Sequence, residues 1–361
     1  MRRNFLPVGQ GAFYLEQFDK KTFGKDVIIV YDCGSLTDVN LVEEEIRKHL
    51  REGEKIDAVF LSHLHADHIN GLPYLLKYCD VKKIYFPLVT PVNMKILRMD
   101  QLIKSKDNFT AEFLEDPYTA IRKYARGGMP ELIAVRAVET QGSIDDVIRN
   151  ANRRVVQSGV NVGEEIWEKE ARKIPWVFVP YNFEVDSRAK RIMQQLRSEK
   201  IGIETVDDIE LVWQTANPYI KRKIKNIFGE RQEANINSMT LFSGETAGVM
   251  RQTMCSEKDN MPSGCLYTGD YNAKTEDGWR TLKESYRKYW EHIGCVQIPH
   301  HGSRYSFNTG FLEFKHCYYI VSAGNKSKFC HPHAEVMKSF LIADKRLYLA
   351  SETGEQTLWV E

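Results

Sequence analysis

The chain has 361 residues, of which 42% are hydrophobic, 27% charged and 11% aromatic. This composition is close to the average for folded globular chains and excludes disordered, collagen-like and coiled-coil proteins. Fifty Lys and Arg residues against 49 Asp and Glu residues leave a formal charge of +1. No overall field therefore attracts nucleic acid or an anionic membrane, and such a partner would need a local patch.

The amino-terminal residues predict no targeting segment. Arg2 and Arg3 are not followed by the apolar stretch of about 7–15 residues that a secretory signal contains. Charge-free segments such as 174–183 are too short to span a bilayer. We therefore expect a cytoplasmic protein with no membrane partner. Seven scattered cysteines without a CxxC pair predict neither a disulfide framework nor a thiolate zinc site.

The first ninety residues predict an alternation of strands and helices. Strands are expected at 3–16, 26–33, 56–62 and 83–87, and helices at 38–53 and 71–79. The second strand is an almost continuous apolar run that reaches Asp32, as expected of a strand buried on both faces. Strand, helix and strand in this order predict a βαβ unit with parallel strands.

Between about 92 and 234 the pattern changes to long amphipathic stretches. Helices are predicted at 94–126, 143–157, 164–172, 186–199, 205–215 and 218–229, with one strand-like island at 176–183. We interpret this block as a mostly helical elaboration inserted in an α/β frame. After it, strands are predicted at 238–243, 264–268, 294–298, 317–322, 346–350 and 356–360, and helices at 275–291 and 333–342.

Seven of the ten histidines fall in three short clusters. The first cluster runs from Ser62 to His68, directly after the buried strand 56–62, and holds three histidines and Asp67. Four potential ligands in a turn at the carboxyl end of a strand can face two metal ions at once. A purely structural role would crowd polar groups without partners, which costs free energy.

Three later segments carry similar residues after predicted strands. Asp270 is the last residue of the segment 267–270, directly after a predicted strand. A strand that ends in Gly-Asp is also an ordinary turn signal. His300 and His301 follow Pro299 in a segment that could equally be a solvated turn. His331 and His333 flank a proline, and His-Pro can simply begin a helix. These three segments indicate a metal site only in combination with the first cluster.

Taken in order, these motifs resemble the metallo-β-lactamase fold, and more narrowly the metallo-β-lactamase-like domain of the DNA-uptake protein ComEC. The motifs are VGQG at 8–11, VYDCGS at 30–35, SHLHADHINGL at 62–72, LYTGD at 266–270, PHHGS at 299–303 and SAGN with HPH at 322–333. They cover roughly 3–90 and 235–360. The resemblance implies a four-layer αββα sandwich. We expect 1–361 to form a single domain of this kind, with 92–234, which the resemblance does not explain, as a large, mostly helical insertion.

The resemblance also implies a site with two divalent metal ions, for which zinc is expected and manganese is the alternative. The first ion would be held by His63 and His65, the second by Asp67 and His68, with Asp270 bridging and His301 as the last ligand. Asp32 is expected to support the ligand turn without binding metal. The order of the histidine pair stays open: His300 would stand beside the substrate as an acid or charge stabiliser, and His331 competes as a site-facing histidine.

One segment departs from the family pattern. Many members have a further histidine ligand just before the strand that precedes the bridging aspartate, where this chain reads Asn235, Ile236, Asn237, Ser238. The first ion is therefore left with fewer nitrogen ligands. We expect it to bind weakly there, or to be a harder ion such as manganese.

Two cations at such a site imply hydrolysis. Asp67 is the expected proton acceptor, and Ser303 or the Gly302 amide would contact the substrate. A phosphodiester, nucleic acid included, is the leading substrate class, because the resemblance points there and a basic stretch precedes a site-bearing strand. That stretch consists of Lys221, Arg222, Lys223, Lys225 and Arg231, and aromatic residues for stacking are Trp176, Tyr181, Phe183, Trp213 and Tyr219. An ordinary solvated helix and a plain aromatic core explain the same residues.

Two other functions compete with this one. The chain could hydrolyse an amide or ester, peptidase-like, in a multi-protein bacterial system, with 92–234 acting as a lid or as a surface for a protein partner. It could also be a metal-stabilised interaction protein whose site is idle. The complete set of His63, His65, Asp67, His68 and Asp270 argues against an idle site.

Overall fold

The structure is a computed structural model that describes residues 1–104, 108–138, 154–167, 174–184, 187–229, 237–254, 261–325 and 327–361. Its strands are β1 Arg2–Phe5, β2 Gly11–Phe18, β3 Val27–Ser35, β4 Lys55–Ile56, β5 Ala58–Phe60, β6 Asp80–Val81, β7 Lys83–Pro87, β8 Glu131–Arg136, β9 Arg154–Gln157, β10 Trp176–Glu184, β11 Asn237–Glu245, β12 Arg251–Met254, β13 Met261–Pro262, β14 Gly264–Tyr267, β15 Ile293–Gln297, β16 Tyr318–Ser322, β17 Leu347–Ala350 and β18 Gln356–Val360.

The helices of the described ranges are numbered in the same way. They are α1 Lys20–Phe23, α2 Val39–His49, α3 Ala66–Ile69, α4 Leu72–Tyr78, α5 Pro91–Lys104, α6 Asn108–Glu115, α7 Pro117–Arg122, α8 Gly163–Trp167, α9 Ser187–Ser198, α10 Asp208–Thr215, α11 Pro218–Phe228, α12 Glu276–Ser285 and α13 Ala334–Ile342. Within these residues, no helix is both long enough and apolar enough to cross a membrane.

Two large sheets form the centre of the molecule. One has the strand order β13-β12-β18-β1-β2-β3-β5-β7-β8-β9, and the other the order β10-β11-β14-β15-β16-β17. In the first sheet β3, β5, β7, β8 and β9 are parallel neighbours. In the second sheet β14 to β17 are parallel as well. Loops at the carboxyl ends of these parallel strands therefore collect at one edge of each sheet.

The two sheets pack face to face, and helices cover both outer faces. Aromatic side chains cross between the sheets: the Tyr31 ring of β3 stacks on the Tyr267 ring of β14 with centroids 4.8 Å apart. The Tyr31 hydroxyl also donates to the Met239 carbonyl of β11 at 2.7 Å. A second core lies under α2, α4 and α5, and a third under α12 and α13. The predicted four-layer αββα sandwich is confirmed.

The βαβ unit at the start of the chain forms for the reasons that its sequence suggests. Strand β3 is buried along almost its whole length, as its apolar run predicts. Asp38 caps the start of helix α2, where its carboxylate accepts from the Asn40 amide at 3.0 Å, and the helix buries Val42 and Ile46 against the sheet. The predicted strand 56–62 is split into β4 and β5, and the predicted strand 3–16 is interrupted by a loop between β1 and β2.

The block 92–234 differs from its prediction in several ways. The helix predicted over 94–126 is divided into α5, α6 and α7. Strands β8 and β9 extend the first sheet and β10 pairs with β11 of the second, so the block contributes to both sheets as well as adding helices. A helix was predicted over 143–157, but 154–157 forms strand β9 beside β8, and the rest of that range lies outside the described residues. Residues 154–157 pair with the edge strand β8, and this pairing outweighs weak helical periodicity. The division of the chain at 92 and 234 stays a prediction.

Gly34, in β3, lies where the first sheet approaches the histidine cluster most closely. A Cβ atom at this position would stand 2.6 Å from the Asp67 carbonyl carbon and 2.6 Å from the His68 amide nitrogen. Both are backbone atoms, which cannot move aside as a flexible side chain can. Only glycine therefore lets α3 sit directly on β3.

Replacing Gly34 by alanine is expected to destabilise the protein. The added methyl group must push α3 away from β3, which costs about 1–3 kcal/mol of unfolding free energy. Urea denaturation of Gly34→Ala measures this loss, with Gly354→Ala as the control because nothing lies within 4 Å of that position. Equal midpoints for the two variants would contradict the close approach.

Candidate metal centre

Asp32 organises the start of the site from the carboxyl end of β3. It has a left-handed backbone, with φ 56°, and is fully buried. Its Oδ1 accepts from the Ser62 amide at 2.7 Å, and its Oδ2 accepts from the Ser62 hydroxyl at 2.7 Å. The same Oδ2 lies 2.8 Å from His68 Nδ1. One carboxylate therefore fixes both the beginning and the end of the cluster 62–68.

These contacts determine which ring nitrogen of each histidine carries the proton. Because the Ser62 hydroxyl donates to Asp32, it accepts from Nδ1 of His63, 3.0 Å away. Nδ1 of His68 donates to Asp32, and Nδ1 of His301 lies 2.9 Å from the Ser322 carbonyl, which can only accept. Nε2 is therefore the ring nitrogen that each of these histidines leaves for a metal ion.

Asp270 stands in the middle of these rings. Its Oδ1 lies 3.4 Å from His68 Nε2 and 4.0 Å from His301 Nε2. Its Oδ2 lies 3.6 Å from His63 Nε2 and 3.5 Å from His300 Nε2. Four imidazoles from two loops therefore surround a single carboxylate that is almost completely buried.

The donor atoms fit divalent ions. Two overlapping groups have their ligand atoms within 4.8 Å of one another: His63 with Asp67 and His68, and His68 with Asp270 and His301. Nitrogen and carboxylate donors suit zinc or manganese. Two ligands of a tetrahedral zinc ion lie about 3.4 Å apart, so separations such as 3.3 Å between His301 Nε2 and Asp67 Oδ2 match neighbouring ligands. Nε2 of His68 is buried and makes no hydrogen bond within the described ranges.

The electrostatics of the site favour a bound cation. Burial opposes the charge of His68, yet Asp32, Asp270 and Asp67 raise the pKa of its imidazole well above the ordinary value. Burial likewise opposes ionisation of Asp270, but the neighbouring histidines, His300 foremost, hold the pKa of this carboxyl well below the ordinary value. Ionised carboxylates thus lie beside the ring nitrogens, and a bound divalent ion would supply the positive charge that protonated imidazoles supply without it.

The two histidines of the pair have different surroundings. His300, His301 and Gly302 have consecutive left-handed backbones, with φ of 50°, 56° and 78°. This conformation is costly for residues other than glycine and turns the two rings in different directions. His301 is buried and joins a donor group, whereas the side chain of His300 is 23% exposed and is held by Ser306 Oγ, 3.0 Å from Nδ1.

Two other predicted residues lie nearby in different surroundings. The His331 ring stacks on the His301 ring with centroids 6.0 Å apart. Its Nδ1 atom lies 3.4 Å from the side-chain amide nitrogen of Gln10. Burial, with the neighbouring histidines, lowers the pKa of His331 to about 3. Ser303 is buried, and its hydroxyl accepts from the Tyr305 amide at 3.3 Å. Ser303 therefore supports the turn, and its contact with substrate stays a prediction.

His65 is the predicted ligand that the structure places apart from the two donor groups. Its Nε2 lies 3.9 Å from Asp100 Oδ2 of α5. Arg188 of α9 contacts the same Asp100 oxygen through Nη2 at 3.4 Å. Neither Asp100 nor Arg188 stands out in the sequence, because a single charged residue in an amphipathic helix looks like part of a solvated face.

The basic stretch forms helix α11, and the structure describes all of it except Arg231. Lys221 Nζ lies 5.7 Å and Lys225 Nζ 6.0 Å from the centroid of the Trp213 ring. We call these three residues the Lys–Trp patch. Lys223 instead pairs with Glu199. Helix α11 packs against α5 and α9, the two helices that carry Asp100 and Arg188.

The remaining predicted aromatic residues have various surroundings. Trp176 is buried in the core between the sheets, and Phe183 is buried in the core outside the second sheet. Tyr181 is partly buried beside Phe183 and Tyr286. Tyr219 is 67% exposed. Of these aromatic residues, only Tyr219 lies on the basic helix α11, and Trp213 lies on the preceding helix α10.

The segment that lacks the family histidine is described in part. Asn235 and Ile236 lie outside the described residues. Asn237 and Ser238 begin β11 and are buried, and the Ser238 hydroxyl donates to the Thr268 carbonyl at 3.2 Å. Ser238 therefore supports the turn that delivers Asp270.

The fold and the site together define the class of metal-dependent hydrolases. The sequence model of the Metallo-beta-lactamase superfamily matches residues 21–203, and the chain belongs to this superfamily. Membership implies divalent metal ions as the cofactor, and the donor groups described above are consistent with that. The narrower likeness to the ComEC branch is not supported by the relatives found, which are of the ribonuclease J and ribonuclease Z kinds.

The curated relatives match only part of the chain. Ribonuclease J of Mycoplasma genitalium is 33% identical over 84 residues, which are 21% of this chain and 15% of the relative. Ribonuclease Z of Treponema denticola is 45% identical over 49 residues, 14% of each chain. The structure of the short form of human tRNase Z aligns over 97% of this chain and 92% of its own, with 13% identity and a TM-score of 0.39. The chain thus spans about a seventh of the length of these two curated relatives.

Replacing Asp32 by asparagine is expected to weaken metal binding about 10–100-fold. An amide cannot accept from Ser62 and His68 together, because its NH2 group would face one of their donors. Isothermal titration of the metal-free protein with Zn²⁺ measures the affinity. Asp38→Asn is the control, since asparagine begins a helix as well as aspartate does. Unchanged affinity in Asp32→Asn would contradict the supporting role of Asp32.

Proposed function

We propose that the protein is a metal-dependent phosphodiesterase that cleaves nucleic acid, with RNA as the leading polymer. The observation that carries the proposal is the pair of overlapping donor groups, which share His68 and enclose Asp270. Two zinc ions are the expected cofactor, with manganese as the alternative. A cytoplasmic location stays a prediction.

The residues divide into those that would hold metal and those that would act on substrate. His63, Asp67, His68, Asp270 and His301 would be the ligands of the described donor groups, with His65 beside them. A pair of divalent ions supplies an activated water and neutralises charge on the phosphoryl oxygens. Asp67 would accept the proton of the attacking water.

His300 would act on the leaving group. Its ring is partly exposed, so a substrate can reach it, and Ser306 fixes its orientation through Nδ1. Its Nε2 faces Asp270 at 3.5 Å, at the centre of the site. A proton held at this Nε2 atom could pass to the departing oxygen or stabilise its charge.

Two observations favour a nucleic acid over a small substrate. The matched segments of the curated relatives belong to proteins named ribonucleases. In addition, the Lys–Trp patch combines two cations with an aromatic ring, which suits a backbone phosphate and an unstacked base. The patch lies on α10 and α11, next to the helices that reach His65.

Metal removal and loss of the central carboxylate should both abolish cleavage. Asp270→Ala is expected to lower kcat/KM at least about 100-fold, because the charge that faces four imidazoles disappears. Cleavage of single-stranded RNA and of bis-p-nitrophenyl phosphate is measured after chelation and after Zn²⁺ or Mn²⁺ is restored. Asp277→Ala, at a surface ion pair with Arg280, is the control. Bound metal without cleavage of any diester would favour amide or ester hydrolysis.

Removing the charges of the Lys–Trp patch should weaken the binding of a polymer substrate and leave the cleavage of a small diester unchanged. Lys221→Ala with Lys225→Ala is expected to raise KM for RNA several-fold and to reduce the slope of log affinity against log salt by roughly 1.5. The rate on bis-p-nitrophenyl phosphate should not change, because a small diester does not reach the patch. Lys20→Ala with Lys288→Ala is the control, since both lysines are exposed. Equal RNA binding by the two double variants would exclude the patch as a contact.

A further inference from the structure

We propose that His331 is a further residue that contacts the substrate, donating from Nε2 to a phosphoryl oxygen, and that Gln10 positions its ring. The inference rests on the proposed phosphodiesterase function and adds to it a hydrogen-bond donor that binds no metal. Gln10 lies in the loop between β1 and β2, and His331 lies in the loop between β16 and α13. Neither residue belongs to the donor groups of the metal centre.

The His331 ring lies beside both members of the histidine pair. Its centroid is 5.9 Å from that of His300, with an interplanar angle of 68°, and 6.0 Å from that of His301, with an angle of 22°. His301 belongs to a donor group, and Nε2 of His300 lies 3.5 Å from Asp270 Oδ2. The side chains of His300 and His331 are both partly exposed. A substrate that reaches His300 would therefore meet His331 as well.

The contact with Gln10 determines which nitrogen of His331 is left for the substrate. The side-chain amide nitrogen of Gln10 lies 3.4 Å from Nδ1 of His331. An amide nitrogen can only donate, so Nδ1 accepts and the ring proton is on Nε2. Among the described residues, no other group forms a hydrogen bond with this ring. Nε2 is therefore a donor that a phosphoryl oxygen can use.

Gln10 is held in a fixed place by its own backbone contacts. Its amide donates to the Thr37 hydroxyl at 2.8 Å, and its carbonyl accepts from the Leu36 amide at 2.7 Å. The residue is only 4% exposed. A buried amide on a fixed backbone can orient a neighbouring imidazole, as the buried carboxylate of Asp32 orients His68.

The loop that carries His331 is joined to the turn 300–302. The His333 amide donates to the Gly302 carbonyl at 3.0 Å. A Cβ atom at Gly302 would stand 2.5 Å from Cβ of Pro332, so the loop rests directly on the turn. These contacts hold the His331 ring beside the turn that supplies the histidine pair.

Two substitutions of His331 separate a substrate contact from a metal ligand. Asparagine keeps an amide near the position of Nδ1 but has no donor at that of Nε2, whereas glutamine can place an amide NH2 there. We expect His331→Asn to lower kcat/KM for bis-p-nitrophenyl phosphate about 10–100-fold and to weaken binding of inorganic phosphate to the Zn²⁺-loaded protein about 10-fold. Bound Zn²⁺ should not change, and His331→Gln should recover part of both losses.

Gln10→Ala tests the positioning role. In ¹⁵N-histidine NMR spectra of the metal-free wild type, we expect His331 to carry its proton on Nε2, and in Gln10→Ala we expect a mixture of tautomers. Because Gln10 acts through this ring, the double variant should cleave the diester no more slowly than His331→Asn alone. His316→Asn is the control, since His316 is exposed and precedes the amino end of β16.

The outcomes distinguish this inference from the proposed function. Unchanged phosphate binding and unchanged kcat/KM in His331→Asn would overturn the inference, as would loss of a bound Zn²⁺ ion. If thermal melting shows that His331→Asn does not fold, Gln10→Ala decides, and wild-type values of its tautomer and phosphate affinity would overturn the inference. A wild type that binds phosphate through His331 but cleaves no diester would refute only the proposed function. A wild type that does neither would refute both.

Discussion

The site depends on the buried carboxylate of Asp32. Its two oxygens satisfy the amide and hydroxyl of Ser62 and the Nδ1 atom of His68. These bonds join the carboxyl ends of β3 and β5, so neither loop can move independently. They also fix the tautomers of His63 and His68, which leaves each Nε2 atom available to a metal ion. The close approach at Gly34 gives the same loops their spacing, because α3 rests directly on β3.

The second sheet supplies the other half of the site, and contacts between its loops fix these residues in position as Asp32 fixes those of the first sheet. Asp270 follows β14, and the histidine pair follows the parallel neighbour β15. Three consecutive left-handed residues, His300 to Gly302, turn one imidazole inward and leave the next partly exposed. The free energy that this backbone costs is offset by contacts around it, such as that between His301 and the Ser322 carbonyl at 2.9 Å.

The block 92–234 belongs to the architecture of both sheets. Strands β8 and β9 widen the first sheet, and β10 forms the edge of the second. The same block brings Asp100 and Arg188 to His65 and places the Lys–Trp patch on helices packed against theirs. A lid formed by this block stays a prediction.

The sequence by itself determined the fold class, most strand and helix positions, and the residues that meet at the centre. Continuous apolar runs followed by His, Asp and Gly are local signals, so 62–68, Asp270 and His300 with His301 could be recognised without coordinates. Tertiary structure alone decided which imidazole turns inward, that His65 faces Asp100, and that 154–157 is a strand. Those outcomes depend on contacts between residues far apart in the chain, such as Asp100 with Arg188, and no local pattern encodes them.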